Sequence, residues 1–338
     1  MSKSDGKPHP AIRITYSPNV FVPLSTACTQ SCSYCLFRGV ATAQSVIRPD
    51  ALLSILDRGQ NAGCTEALFT HGQDPDQYDV VLALLEDWGF SDMASYLMWG
   101  CEQALARGLI PHVNPGVIDK EEMRRLKGVA GSMGLMLETT AQVPAHRCSP
   151  SKAPAVRAEM IERAGELRIP FTTGLLVGIG ESRADRVQAL RVIRDLQRKL
   201  GHIQEVILQP VIPANAVAGL RRPTLATMLR IVQLARQVLP DGIAIQVPGN
   251  LFTTEELIAL LQVGVSDLGG ISPITPDYIN PDHPWPPIHQ LREGLRGTGM
   301  QLVERLPVYQ RYLSTKWCTE AVLETALRKA RALCTAQR

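Results

Sequence analysis

A closed barrel of eight parallel strand–helix units is the architecture this sequence predicts, on three observations. Short β-rich or apolar runs alternate with helical patterns along most of the chain, which is the signal for parallel βα units. Eight such runs occur, and no Gly/Ser-rich or Pro-rich linker divides them. The length of 338 residues suits one large barrel. One domain is therefore expected over 16–338, after a flexible N-terminal segment at 1–15.

The candidate strands are 20–24, 66–70, 110–114, 134–138, 171–177, 205–208, 243–247 and 266–268. Between them, apolar residues near helical spacing predict helices at 49–61, 92–107, 119–129, 154–167, 183–200, 224–238 and 254–263. Several open on a residue that caps a helix N-terminus, such as Asp92, Asp119 or Thr224. After the eighth strand, 285–296 and 319–335 read as terminal helices packed on the outside of the barrel.

Composition is globular, with 45% hydrophobic and 20% charged residues. The net charge of +3, from 35 basic and 32 acidic side chains, is too balanced to imply a nucleic-acid or membrane partner. Residues 1–10 contain no apolar stretch of the secretory type, and no run reaches transmembrane length, so a cytoplasmic protein is expected. In that reducing compartment cysteines serve metals more often than disulfides. Cys64, Cys101, Cys148, Cys318 and Cys334 lie far apart and are assigned no chemistry.

The remaining three cysteines share one loop. Cys28, Cys32 and Cys35 have the spacing C-x3-C-x2-C, and no further Cys or His follows before Cys64. A structural zinc site wants a fourth ligand close by, so this set favours an iron–sulfur cluster with one iron left open. The loop follows the first strand, and in such barrels chemistry sits on the loops after the strands. With the aromatic Tyr34 directly before the last cysteine, the run resembles the signature of radical S-adenosylmethionine (SAM) enzymes. That resemblance implies a TIM-type barrel, a 4Fe-4S cluster, and SAM chelated to the fourth iron through its amino and carboxylate groups.

Other residues acquire candidate roles from the same resemblance. Gly174, Gly178 and Glu181 lie in Gly174-Leu175-Leu176-Val177-Gly178-Ile179-Gly180-Glu181, similar to the G-x-I-x-G-x-x-E segment that supports SAM adenine. Arg157, seventeen residues before Gly174, matches an Arg that pairs with the SAM carboxylate; the alternative is a solvated helix face. Glu138 closes the fourth strand, where a carboxylate could serve the SAM ribose or ammonium, or form a salt bridge on the rim. In Thr70-His71-Gly72-Gln73, where relatives carry a Gly-Gly-Glu tract, Gln73 replaces the acid. Thr70 and Gly72 are then expected near SAM, and His71 is a candidate substrate neighbour, with a cofactor contact as the equal alternative.

Further segments narrow the family. Asp267 to Pro281, Ile169-Pro170-Phe171-Thr172-Thr173, Glu66 to Thr70, Ala145-His146, Ser149 to Lys152 and Gln204 to Ile207 resemble the CofG family of 7,8-didemethyl-8-hydroxy-5-deazariboflavin (FO) synthases. The likeness runs from Val20 to about Pro286. It implies a carbon–nitrogen lyase in which a SAM-derived radical removes hydrogen from a hydroxybenzyl-substituted ribityl-dihydrouracil. Ring closure with loss of ammonia would then give the deazaflavin. The implied partners are the CofH subunit or enzyme that delivers the substrate, and an external one-electron reductant. Thr172 and the rim groups Asp267, Ser272, Thr275, Asp277 and Asn280 are the candidate substrate contacts, since a polyhydroxylated heterocycle needs many hydrogen bonds. No residue is singled out as a catalytic acid or base. The alternatives are a radical SAM enzyme with another substrate, either CofH-like or a menaquinone- or thiamine-pathway relative, and a non-catalytic iron–sulfur electron carrier.

Overall fold

A computed structural model describes residues 11–38, 40–213 and 220–336. The chain runs β1 (Ile12–Ser25), α1 (Pro49–Asn61), β2 (Glu66–His71), α2 (Asp79–Asp87), α3 (Met93–Ala106), β3 (Ile110–Asn114), α4 (Lys120–Lys127) and β4 (Ser132–Gly134). It continues through α5 (Pro154–Glu166), β5 (Phe171–Val177), α6 (Arg183–Leu200), β6 (Ile203–Pro210), α7 (Leu225–Val238), β7 (Ala244–Gln246), α8 (Thr254–Gln262) and β8 (Asp267–Ile271). Last come α9 (Ile288–Gly294), β9 (Met300–Glu304) and α10 (Glu320–Ala336).

Strands β1 to β8 pair in sequence order, all parallel, and β1 pairs with both β2 and β8, so the sheet closes. The expected eight-unit barrel is what forms. The barrel strands are largely buried; in β5 every residue is buried, because helices cover one face and the lumen lies on the other. Helix α6 shows how local chemistry sets the ends. Ser182 and Asp185 form a reciprocal capping box, and Gly201 closes the helix at φ 71°, a left-handed conformation that costs glycine little.

Four local differences have physical causes. β1 begins at Ile12, so the flexible segment expected over 1–15 is correct for none of Ile12 to Thr15, which belong to a strand; residues 1–10 lie outside the described residues. Their partner is β9, a ninth parallel strand laid along Ile12–Tyr16 that its short alternation does not announce. Helix α2 is a further addition to the expected elements, its Val80–Leu85 run being too short and apolar to show a helical period. β4 stops at Gly134, and the chain then follows β5 through irregular bonds such as Glu138 N–H to the Gly174 carbonyl (2.8 Å).

The segment after β9 closes the N-terminal end of the barrel. The Arg305 amide donates to the Tyr16 carbonyl (2.8 Å), and the Pro307 carbonyl accepts from Gln204 Nε2 (2.8 Å) and Ser132 Oγ (3.2 Å). Tyr312 and Trp317, in edge contact at 4.8 Å, anchor the chain before α10, which packs outside against α3 and β3. Among the described residues no helix is long and apolar enough to cross a membrane.

Candidate active site

A cavity of about 370 Å³ runs down the barrel, from the cysteine loop at the C-terminal mouth to Arg305 and Pro307 at the floor. Cys28, Cys32 and Cys35 all line it. Two neighbouring loops hold the cysteine loop in place. From the loop after β2, the Gln73 amide donates to Cys28 Sγ (3.2 Å), and its carbonyl accepts from Thr29 N–H (2.9 Å). From the loop after β4, Ser149 Oγ contacts Cys32 Sγ (3.4 Å) and accepts from Ser31 N–H (3.2 Å). The Phe37 amide reaches Cys35 Sγ at 3.4 Å.

These contacts fit a cluster. N–H donors aimed at sulfur stabilise thiolates and tune iron–sulfur potentials. Among the described residues no group of three or more His, Cys, Asp or Glu converges on a single metal position; thiols that each serve a different iron need not converge. Burial pushes the Cys35 thiol up to about 11, so metal must displace its proton. Gly72 explains itself by space: a Cβ there would lie 2.1 Å from the Ala27 carbonyl and 2.5 Å from Cys28 Cβ. Gln73, standing in place of an acid, uses its side chain to tie the loop to Val117 on both N–H and C=O, each at 2.8 Å.

Beside the cysteines lies a buried charge network centred on Glu138, held at φ 65°. Its carboxylate accepts from the Tyr34 hydroxyl, from Lys152 Nζ, from His146 Nε2 (2.9 Å) and from Arg157 Nη2 (3.3 Å). A carboxylate only accepts, so the His146 nitrogen facing it carries the proton. Burial alone would raise the Glu138 carboxyl, but Lys152, Arg157 and His146 together hold it well below the usual carboxylate range. The rim salt bridge is therefore the arrangement Glu138 adopts. Arg157 is 4% exposed, which excludes the solvated helix face. Its other donors go to the Met136 carbonyl and, at 3.3 Å, to the Ser151 carbonyl.

Other expected contacts divide into those on the cavity and those behind it. Thr70, His71, Gly72, Thr172 and Asn280 line the cavity. Thr70 Oγ1 and His71 Nε2 are buried there without a protein partner. Gly174, Gly178 and Glu181 do not line it; they shape its wall. A Cβ at Gly174 would meet the Ile207 carbonyl at 2.2 Å, and Gly178 sits at φ 100°. The Glu181 carboxylate accepts from the amides of Gly178 (3.0 Å) and Ile179 (2.9 Å) and from Arg186 (2.7 Å), so it braces the loop.

The rim assignment needs correction. Asp267 opens β8 rather than closing it, so it lies at the floor, 0% exposed, bound to Arg305 (2.5 and 2.8 Å), Tyr309 (2.9 Å) and the Gly269 amide (2.6 Å). Ser272 and Thr275 bond each other (2.6 Å), and Thr275 Oγ1 accepts from Phe21 N–H (3.0 Å). Asp277 accepts from Asn250 (2.8 Å) and Asn280 (3.0 Å) side chains. These three build the loop after β8, and of that group Asn280 reaches the cavity. Sequence reasoning missed Lys152 and His146 as network partners, and it missed the floor residues Glu66, Glu205 and Arg305. A glutamate opening or entering an otherwise apolar strand was the available signal for the two acids; Arg305 had none.

A parallel barrel with three thiols at its mouth and a buried Arg–Glu network beside them defines a class, and residues 22–193 match the Radical SAM superfamily. The chain's cofactors are a 4Fe-4S cluster and SAM. The solved structure of methylornithine synthase (PylB) shares the fold, with a TM-score of 0.60 over 86% of this chain and 84% of that one at 17% identity. Much closer in sequence is the 7,8-didemethyl-8-hydroxy-5-deazariboflavin synthase of Methanoregula boonei, 46% identical over 90% of this chain and 92% of its own length. The synthase of the same name from Methanothermobacter thermautotrophicus is 44% identical over 92% of this chain and 96% of its own. The chain belongs to the 7,8-didemethyl-8-hydroxy-5-deazariboflavin synthase family of radical SAM enzymes.

Proposed function

We propose that the protein forms the deazaflavin FO from the hydroxybenzyl-ribityl-dihydrouracil adduct supplied by a separate CofH enzyme or subunit, releasing ammonia and drawing on an external one-electron reductant. The observation that carries this reading is the 46% identity to a deazariboflavin synthase across nine-tenths of the chain. When bound, the cluster and SAM supply hydrogen-atom abstraction. The residues do the rest. Cys28, Cys32 and Cys35 would hold three irons, leaving the fourth open for SAM. Arg157, whose Nη contacts at 3.3 Å are long, would take the SAM carboxylate in a bidentate fork. Tyr34, Glu138, Thr70 and Gly72 would surround the rest of SAM, with Gly174, Gly178 and Glu181 shaping the wall behind it. His71, kept neutral by burial, would face substrate with Thr172 and Asn280. A closed floor and a lumen walled by side chains exclude water from reactive intermediates.

The test is anaerobic turnover of reconstituted protein with SAM, reductant and the purified adduct. The expected products are 5′-deoxyadenosine, ammonia and a blue-fluorescent deazaflavin, with none formed from tyrosine and the diaminouracil alone. Formation of the adduct from those two precursors would instead identify the companion half-enzyme.

A further inference from the structure

The floor of the cavity is unusual for a barrel lumen. Two carboxyls, from Glu205 and Asp267, bond the guanidinium of Arg305, and a third, from Glu66, lies within its electrostatic reach. Arg305 bonds Asp267 and reaches Glu205 Oε2 at 2.5 Å, and its guanidinium lies 4.7 Å from the centroid of the Tyr309 ring. Glu66, Glu205 and Arg305 face the cavity, together with His112 and Gln246, while Asp267 lies behind them. Gln246 Oε1 is buried there with no protein partner. Burial pushes the Glu66 carboxyl up to about 7 and raises Glu205 as well, since one guanidinium cannot neutralise three acids. Burial also lowers His112 to about 4, leaving it neutral. A floor already short of positive charge rejects an anion. It offers acceptors, protonated carboxyls and a guanidinium to a neutral ligand rich in hydroxyls.

We propose that Glu66, Glu205 and Arg305, with His112 and Gln246, form the subsite for the substrate's polyhydroxylated ribityl chain, with its aromatic end toward the mouth. The inference rests on the deazaflavin reading above. A phenol seated on this floor would satisfy one hydrogen-bonding group and leave the others desolvated and unpaired, whereas a ribityl chain brings several hydroxyls that both donate and accept. Higher in the lumen, Phe21, Met136 and Leu176 offer an apolar wall suited to the aromatic ring.

Binding of the fluorescent product tests this without turnover. FO and its N10-methyl analogue, which keeps the ring and lacks the chain, are titrated into protein reconstituted with cluster and SAM, and affinity is read by fluorescence anisotropy. Wild type is expected to prefer FO by about tenfold or more, the equivalent of one or more hydrogen bonds to charged groups. Glu66→Leu or Glu205→Leu, which remove the hydrogen-bonding group, should erase most of that preference by weakening FO alone, and unchanged binding of the analogue reports an intact fold. Equal affinity of wild type for the two ligands overturns the proposal without reference to any variant. So does a preference that survives both substitutions. Failure of the synthase reading shows separately, as an absence of deazaflavin from the adduct in the turnover assay.

Discussion

The two ends of this barrel bury carboxylates equally deeply and treat them in opposite ways. At the mouth, Glu138 is ringed by Lys152, Arg157 and His146, and its carboxyl is held well below the usual range. At the floor, Glu66 and Glu205 share Arg305 with Asp267, and burial drives both up. Desolvation penalises each acid, so the number of cations within reach decides the sign. The mouth thus keeps a permanent negative charge that orients cations beside the cysteine loop. The floor keeps protons that exchange near neutral pH.

The sharpest separation of the two ends comes from the thiols. Replacing Cys28, Cys32 or Cys35 by Ala should abolish SAM cleavage and cluster binding, read as a fall from about four irons per chain, while the floor and the fold persist by circular dichroism. A stable cluster in the triple variant, or stoichiometric zinc without iron in the wild type, would sink the assignment. Next in size is Arg305→Met, which leaves three buried acids without their cation and should cost about 3–5 kcal/mol in chemical denaturation. Arg157→Ala should weaken SAM binding by about 2–3 kcal/mol with iron content unchanged; unaltered affinity would mean Arg157 serves Glu138 alone.

Two smaller effects probe the charge balance itself. Glu66 carries a folded-state value of about 7 against an ordinary 4.5, so the folded form binds the extra proton. Its contribution to stability is fully present below pH 4.5 and is lost as the pH rises toward 7. Glu66→Gln should flatten that decline by about 1–2 kcal/mol in denaturation midpoints compared across the window; an unchanged slope would place the titration elsewhere. Lys152→Met should cost only about 1 kcal/mol, because Arg157 and His146 still face Glu138. A loss as large as that of Arg305→Met would erase the distinction between the two ends.

What the sequence determined alone was whatever lies close in the chain. The spacing of Cys28, Cys32 and Cys35, the βα alternation and the capping residues all act within a few positions, and each was legible. Glycine at 72 was legible only as a motif position, since its reason is the Ala27 carbonyl 2.1 Å from a would-be Cβ. Asp267 shows how a small error of reading becomes a large one of place: a strand assigned to 266–268 but formed by Asp267–Ile271 moves its carboxylate from rim to floor. Glu138 could be placed at the mouth, yet its four donors arrive from the cysteine loop, two loop positions and a helix. At the floor the sequence offered two glutamates in apolar strands but not the cation between them. Arg305 meets Asp267 across 38 positions and Glu205 across 100, and only closure of the barrel by the segment after β9 brings them together. Local spacing encodes which chemistry a loop can hold; a buried charge balance is a sum over distant elements, and only the folded chain adds it up.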